Sequence, residues 1–106
     1  RKTTSFLLRP VHKLLIREMV QVRIQYCGGW GYGRQSDALQ AALSAEFGTD
    51  VTFDVIKDAG VTGNFEVTLV ETGELIHSKK AGKAKCESNT ERAAVCEKIQ
   101  AFLDSA

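Results

Sequence analysis

The apolar residues change period twice between Val20 and Val55, and that double change limits what the chain can fold into. Val20, Val22, Ile24 and Tyr26 alternate with Gln21, Arg23 and Gln25, the period of two that turns one face of a strand toward a core. From Ser36 the pattern becomes helical. Leu39, Leu43 and Phe47 recur every four residues among alanines, which are strong helix formers, and Gly48 follows as a stop. Val51, Phe53 and Val55 then alternate again. A strand, a helix and a strand in this order form a crossover unit. Its handedness places the loop between strand one and helix one at the carboxyl edge of the sheet, where open α/β sheets gather their active groups.

The rest of the chain completes a small α/β domain. Gly60 and Gly63 break the chain before Phe65, Val67 and Leu69 give a third strand, and Thr72-Gly73 signals a tight turn that returns Leu75-Ile76-His77 antiparallel to it. A basic loop from Lys79 to Lys85 leads to Ser88-Asn89-Thr90-Glu91, a capping-box pattern in which Ser88 and Glu91 satisfy each other's free amides. Val95, Ile99 and Phe102, with Cys96 and Leu103 beside them, line one side of a second helix. The expected order is βαβββα, an α+β sandwich with a four-stranded mixed sheet and two helices. No repeat or low-complexity segment interrupts it.

Composition bounds the partners. The chain has 106 residues, of which 43% are hydrophobic, enough for one domain with a modest core. No apolar run approaches the roughly 20 residues that span a bilayer, and no signal-peptide pattern is present, so the body reads as cytoplasmic and without a membrane partner. The net charge of +1 hides an asymmetry. Residues 1–18 hold five basic residues against Glu18, which leaves 14 − 5 = 9 basic and 13 − 1 = 12 acidic residues in 19–106, net −3. A mildly acidic body argues against a nucleic-acid partner. Met19 is the only methionine and directly precedes the first strand, so 19–106 is read as the domain and Met19 as its natural start. Residues 1–18 are then a basic leader, disordered or non-native; the alternative is a targeting arm.

The loop after strand one carries the chemistry. Cys27, Cys86 and Cys96 are odd in number and contain no CxxC pair, a poor disulfide framework and a poor zinc site, so no metal is expected. Cys27 opens the stretch CGGWGYG. Gly28, Gly29, Gly31 and Gly33 let the backbone turn and aim amides at the sulfur, and the start of helix one adds partial positive charge; both favour thiolate. The plain alternative is a small buried cysteine at a strand end. Phosphate binding fits worse, because the glycines do not form GxGxxG and no GK[ST] follows.

Three motifs in order, YCGGWGY from Tyr26, TGNFEV from Thr62 and GELIHSKKAG from Gly73, resemble the selenoprotein W (Rdx) family over residues 19–104. The resemblance implies a thioredoxin-like fold with a CxxU or CxxC redox motif after strand one, U being selenocysteine. It also implies links to glutathione, as reductant or adduct with no bound cofactor, to the thioredoxin system, and to 14-3-3 proteins. Carried onto this chain, Cys27 is the first residue of the motif, position 30 is the second, and Gly28, Gly29, Gly31 and Tyr32 complete the redox loop. Position 30 is Trp30. Selenocysteine is encoded by UGA, one base from the tryptophan codon UGG, so Trp30 is read as standing in for a selenocysteine; the alternative is a genuine tryptophan in a member that has lost its redox pair.

The implied cycle has a selenol at position 30 attacking an oxidised substrate and Cys27 resolving the product. With Trp30 the cycle cannot close, and the chain as written forms at most mixed disulfides at Cys27. Among the other thiols, Cys96 is expected in the core and Cys86 is a secondary candidate in the basic loop, where Lys83 and Lys85 would lower its pKa, though a chance surface thiol is the simpler reading. A glutathione-carrying cysteine of some relatives finds only Val51, Phe53 and Val55 here. His77 is expected as a partly exposed strand end, and Lys79, Lys80, Lys83 and Lys85 as a solvated loop or a dock for an acidic partner. Pro10 lies in the leader, so Thr62-Gly63 occupies the place of the cis-proline of thioredoxins. Two classes follow: a glutathione-linked redox protein, or a redox-sensitive binding module without turnover.

Overall fold

A computed structural model describes residues 19–29, 31–82, 86 and 88–105; the leader 1–18, Trp30, Lys83 and Lys85 lie outside the described residues. Seven segments follow one another: β1 (Val20–Tyr26), α1 (Gly33–Phe47), a short 3-10 turn (Gly48–Asp50), β2 (Val51–Lys57), β3 (Phe65–Leu69), β4 (Glu74–Ser78) and α2 (Asn89–Ser105). The sheet order is β2-β1-β3-β4. β1 is parallel to β2, with Val20 opposite Val51, and antiparallel to β3, with Ile24 opposite Val67; β3 and β4 are antiparallel. This is the expected βαβββα order with a mixed four-stranded sheet, a thioredoxin-like arrangement.

The alternation of β1 decides where the helices go. Val20, Val22 and Ile24 are wholly buried, as are Phe65 and Val67 of β3. They meet Leu39 and Leu43 of α1 and Val95 and Ile99 of α2 in one core. Each such side chain contributes about 1.5–3 kcal/mol on burial. The intervening residues form the other face of the sheet, which is polar. There Arg23 Nε contacts Asp54 Oδ2 at 2.8 Å and Gln25 Nε2 donates to Asp58 Oδ1 at 2.8 Å.

Several local expectations shift. α1 begins at Gly33, three residues before Ser36, because the Tyr32 ring is already buried and fixes the chain there. In β2 only Val51 is buried; Phe53 is half-buried and Val55 is 41% exposed, since β2 is an outer strand of the sheet among the described residues. β4 carries a bulge. Val67 faces His77 while the next residue, Thr68, faces Leu75, so Ile76 is the extra residue. The bulge flips the parity of the strand. Leu75 points outward, and His77, expected as a partly exposed strand end, is buried edge-on to Phe65 with ring centroids 6.2 Å apart.

The start of α2 bears out the capping signal with one change. The Glu91 amide donates to Ser88 Oγ at 3.1 Å, and the Ser88 hydroxyl itself donates to Glu91 Oε1 at 3.3 Å. Val95, Ile99 and Leu103 are the buried residues of this helix, while Cys96 and Phe102 pack on the core from its margin.

Candidate active site

Cys27 follows β1 directly, and its surroundings are built by the segment 58–64 that joins β2 to β3. The Asp58 amide donates to the Tyr26 carbonyl at 2.9 Å, and the Cys27 amide donates to the Asn64 carbonyl at 2.8 Å. Segment 58–64 thus clasps the end of β1. The clasp is tied together by one carboxylate. Asp58 accepts from Thr62 Oγ1 at 2.6 Å, Asn64 Nδ2 at 2.7 Å and Gln25 Nε2 at 2.8 Å. These bonds, Thr62 first and then Gln25 and Asn64, hold its carboxyl below the usual range, and the Lys80 charge adds to them.

Gly28 and Gly29 are required by the closeness of this clasp. A Cβ on Gly28 would lie 2.0 Å from the Asp58 carbonyl oxygen, and one on Gly29 would lie 2.4 Å from Val61 Cγ2. Behind them Cys27 is fully buried, its Sγ directed at the Gly60 carbonyl oxygen at 3.9 Å. In this contact the thiol is the hydrogen donor and the carbonyl the acceptor. All peptide bonds among the described residues are trans, Thr62-Gly63 included.

Tyr32 closes the loop on the other side. It precedes α1 with helical backbone angles and no side-chain cap, and its buried ring meets Phe65 edge-on at 6.3 Å. Phe65 in turn meets His77, so an aromatic row runs under the loop from α1 to β4. The basic segment after β4 lies at this same edge. Glu66 holds it there: one carboxylate oxygen takes the Ser78 hydroxyl, and the other takes the Lys79 amide at 2.9 Å and the Lys80 amide at 3.3 Å. Lys79 Nζ sits 5.9 Å from the centroid of the Tyr32 ring.

The structure separates the remaining thiols from this site. Cys86 is fully buried just before α2, with a positive φ of 59° and its carbonyl accepting from Arg92 Nε at 3.1 Å. Burial, then the Glu91 charge, pushes its pKa up to about 11. Burial overturns the reading of Cys86 as a chance surface thiol, and the raised pKa runs opposite to activation by Lys83 and Lys85. Cys96 is half-buried on α2 and its pKa is also raised, by burial and then by Glu46. No disulfide joins the cysteines.

Sequence reasoning passed over Asp58 and Asn64. The signal was present in DAGVTGN, a run of small and turn-forming residues headed by a carboxylate.

Comparison with known proteins gives the relatives of this chain. The Rdx family matches residues 21–99, from β1 well into α2. Selenoprotein W of Ovis aries is 33% identical over 87 residues, 82% of this chain and 98% of that protein. Selenoprotein W of Danio rerio is 34% identical over 71 residues, 67% of this chain and 80% of that protein. Selenoprotein V of Homo sapiens is 36% identical over 63 residues, 59% of this chain, and the match spans only 18% of its own length. With the motif loop, the sheet order and the matched span in agreement, the chain belongs to the Rdx family.

Proposed function

We propose that the chain is a selenoprotein W-like redox protein in which position 30 attacks and Cys27 resolves, with Trp30 standing where the natural protein carries selenocysteine. The observation that carries this reading is the complete burial of Cys27 at a fixed point behind a two-glycine turn. Such a thiol is poorly placed to meet a bulky substrate. A buried resolving thiol suits a partner atom bonded within its own loop, three residues on in the chain.

With a selenol or thiol at position 30 the steps balance. Its anion attacks a disulfide R–S–S–R, bonding to one sulfur and releasing R–S⁻, which takes a proton from water. Cys27, giving its proton to solvent, attacks position 30, forms the internal bond and releases the second R–S⁻. Two electrons pass from protein to substrate. Glutathione or the thioredoxin system returns them by the reverse exchange. Trp30 supplies no nucleophile and Cys27 is buried, so in the chain as written the cycle does not begin.

Trp30→Cys tests the reading. Under mild oxidation the variant loses two hydrogens, and when it is then unfolded both loop thiols resist alkylation until reduced. If only mixed disulfides form, the assignment of the pair is wrong. The buried state of Cys27 also supports a second reading, a binding module without turnover, for example toward 14-3-3 proteins. In that case Cys27→Ser leaves partner affinity unchanged and the Trp30→Cys form shows no turnover.

A further inference from the structure

The two outer strands of the sheet differ in how they meet solvent. β4 has five residues and a bulge, two features that spoil a sheet edge for further pairing. β2 has neither. Its seven residues run in unbroken register with β1, without glycine or proline. The Asp58 amide donates to the Tyr26 carbonyl, which turns the backbone groups of Thr52, Asp54 and Ile56 toward β1. Alternation then turns the amides and carbonyls of Val51, Phe53, Val55 and Lys57 to the outer edge, and among the described residues no strand lies beyond them. The side chains are incompletely covered on both faces of this strand: Val55 is 41% and Ile56 36% exposed, and Phe53 is half-buried.

We propose that this edge is a self-association surface, on which β2 pairs antiparallel with β2 of a second copy about a two-fold axis at Phe53 and joins the two sheets into one. The strand is its own complement. A slip by one residue is forbidden, because it sets an outward-facing residue against one whose bonding groups β1 already uses. Centring the pair on Asp54 opposes two carboxylates, and centring it on Val55 sets Phe53 against Lys57. Centring on Phe53 avoids both: on the helix side Val51 meets Val55 and the two Phe53 rings meet each other, while on the other side the Thr52 hydroxyl faces the Asp54 carboxylate. Each copy then satisfies the outward backbone groups of the other and covers the part of Val55 left bare within one chain.

The test uses the full chain under reducing conditions, so that no intermolecular disulfide contributes. In analytical ultracentrifugation the mass moves from one chain toward two between roughly 10 µM and 1 mM, the affinity range of an interface made from one strand edge. Over the same range, amide exchange of Val51, Phe53 and Val55 slows about tenfold, while Thr52, Asp54 and Ile56, already bonded to β1, keep their rates. Val55→Lys sets a charge on the edge and weakens association about tenfold or more. Val55→Pro removes an amide that faces outward and has the same effect; if that variant fails to fold, Val55→Lys, whose backbone groups are intact, carries the comparison. Leu75→Lys, at a residue of β4 that is 51% exposed, leaves association unchanged. A chain that stays monomeric up to roughly 1 mM overturns the pairing. So does protection of the outward amides at every concentration, which shows that another segment of the same chain covers the edge. A dimer in which those amides stay unprotected places the interface elsewhere and also overturns it.

Discussion

The Cys27 amide donates to the Asn64 carbonyl at 2.8 Å, which continues the β1–β3 register one step beyond the pairing of Tyr26 with Phe65. Cys27 is therefore placed by the sheet as firmly as a strand residue, although it stands in the loop. The clasp that makes this bond also decides which substitutions the loop tolerates.

Gly28→Ala sets a methyl group against the Asp58 carbonyl, which is backbone and has no room to give. We expect a loss of about 2–3 kcal/mol in chemical denaturation. Gly29→Ala meets the end of the Val61 side chain, and Val61 is 64% exposed and able to swing aside. Its loss should be less than half as large. The reverse ranking would contradict the position given to segment 58–64.

Asp58→Asn should destabilise the protein in a pH-dependent way. Folding lowers the pKa of this carboxyl, so its contribution is present above the ordinary aspartate value of about 3.9 and is lost as pH falls through the folded value. Melting temperatures of the two forms should differ most near neutrality and converge in acid. A gap that stays constant with pH would place the stabilisation elsewhere.

Thiol labelling of the native chain with iodoacetamide should modify Cys96 first, with Cys27 and Cys86 following only on unfolding, as their burial dictates. Because folding raises the Cys86 pKa from 9.0 to about 11, its contribution is intact below the lower value and is lost as pH climbs to the upper one. Stability in that alkaline window should therefore fall more steeply with Cys86 present than in Cys86→Ala. Equal slopes would show that the thiol is open to solvent.

Ser88→Ala removes the acceptor for the Glu91 amide and should cost about 1 kcal/mol, while Ser88→Asp retains most of the stability. If alanine proves neutral, α2 is capped by other groups.

Most of the frame was legible because period and burial coincide in it. Val20, Val22 and Ile24, Leu39 and Leu43, and Phe65 and Val67 are buried where their spacing puts them. The misreadings have local causes. Leu75-Ile76-His77 gives no sign of the bulge, so the burial of His77 follows only from the pairing with β3. Cys86 looked exposed among lysines because its left-handed backbone and the Arg92 contact depend on how α2 docks. The site was half legible. CGGWGYG announced a loop with a thiol, but the clasp rests on hydrogen bonds from Gln25, Thr62 and Asn64 to a single aspartate, and no periodicity marks such a convergence.

Gly31 gives the loop its asymmetry. Upstream, Gly28 and Gly29 are pressed against segment 58–64, and downstream the Tyr32 ring is locked on Phe65; Gly31 has a φ of 71°, and a Cβ built there would touch nothing within 4 Å. The described residues on the two sides of position 30 are therefore unlike: those before it are packed against segment 58–64, and the one after it has open space on its Cα. A side chain at position 31 would find open space and meet only the strain of the left-handed backbone, so tolerance to substitution differs on the two sides of position 30.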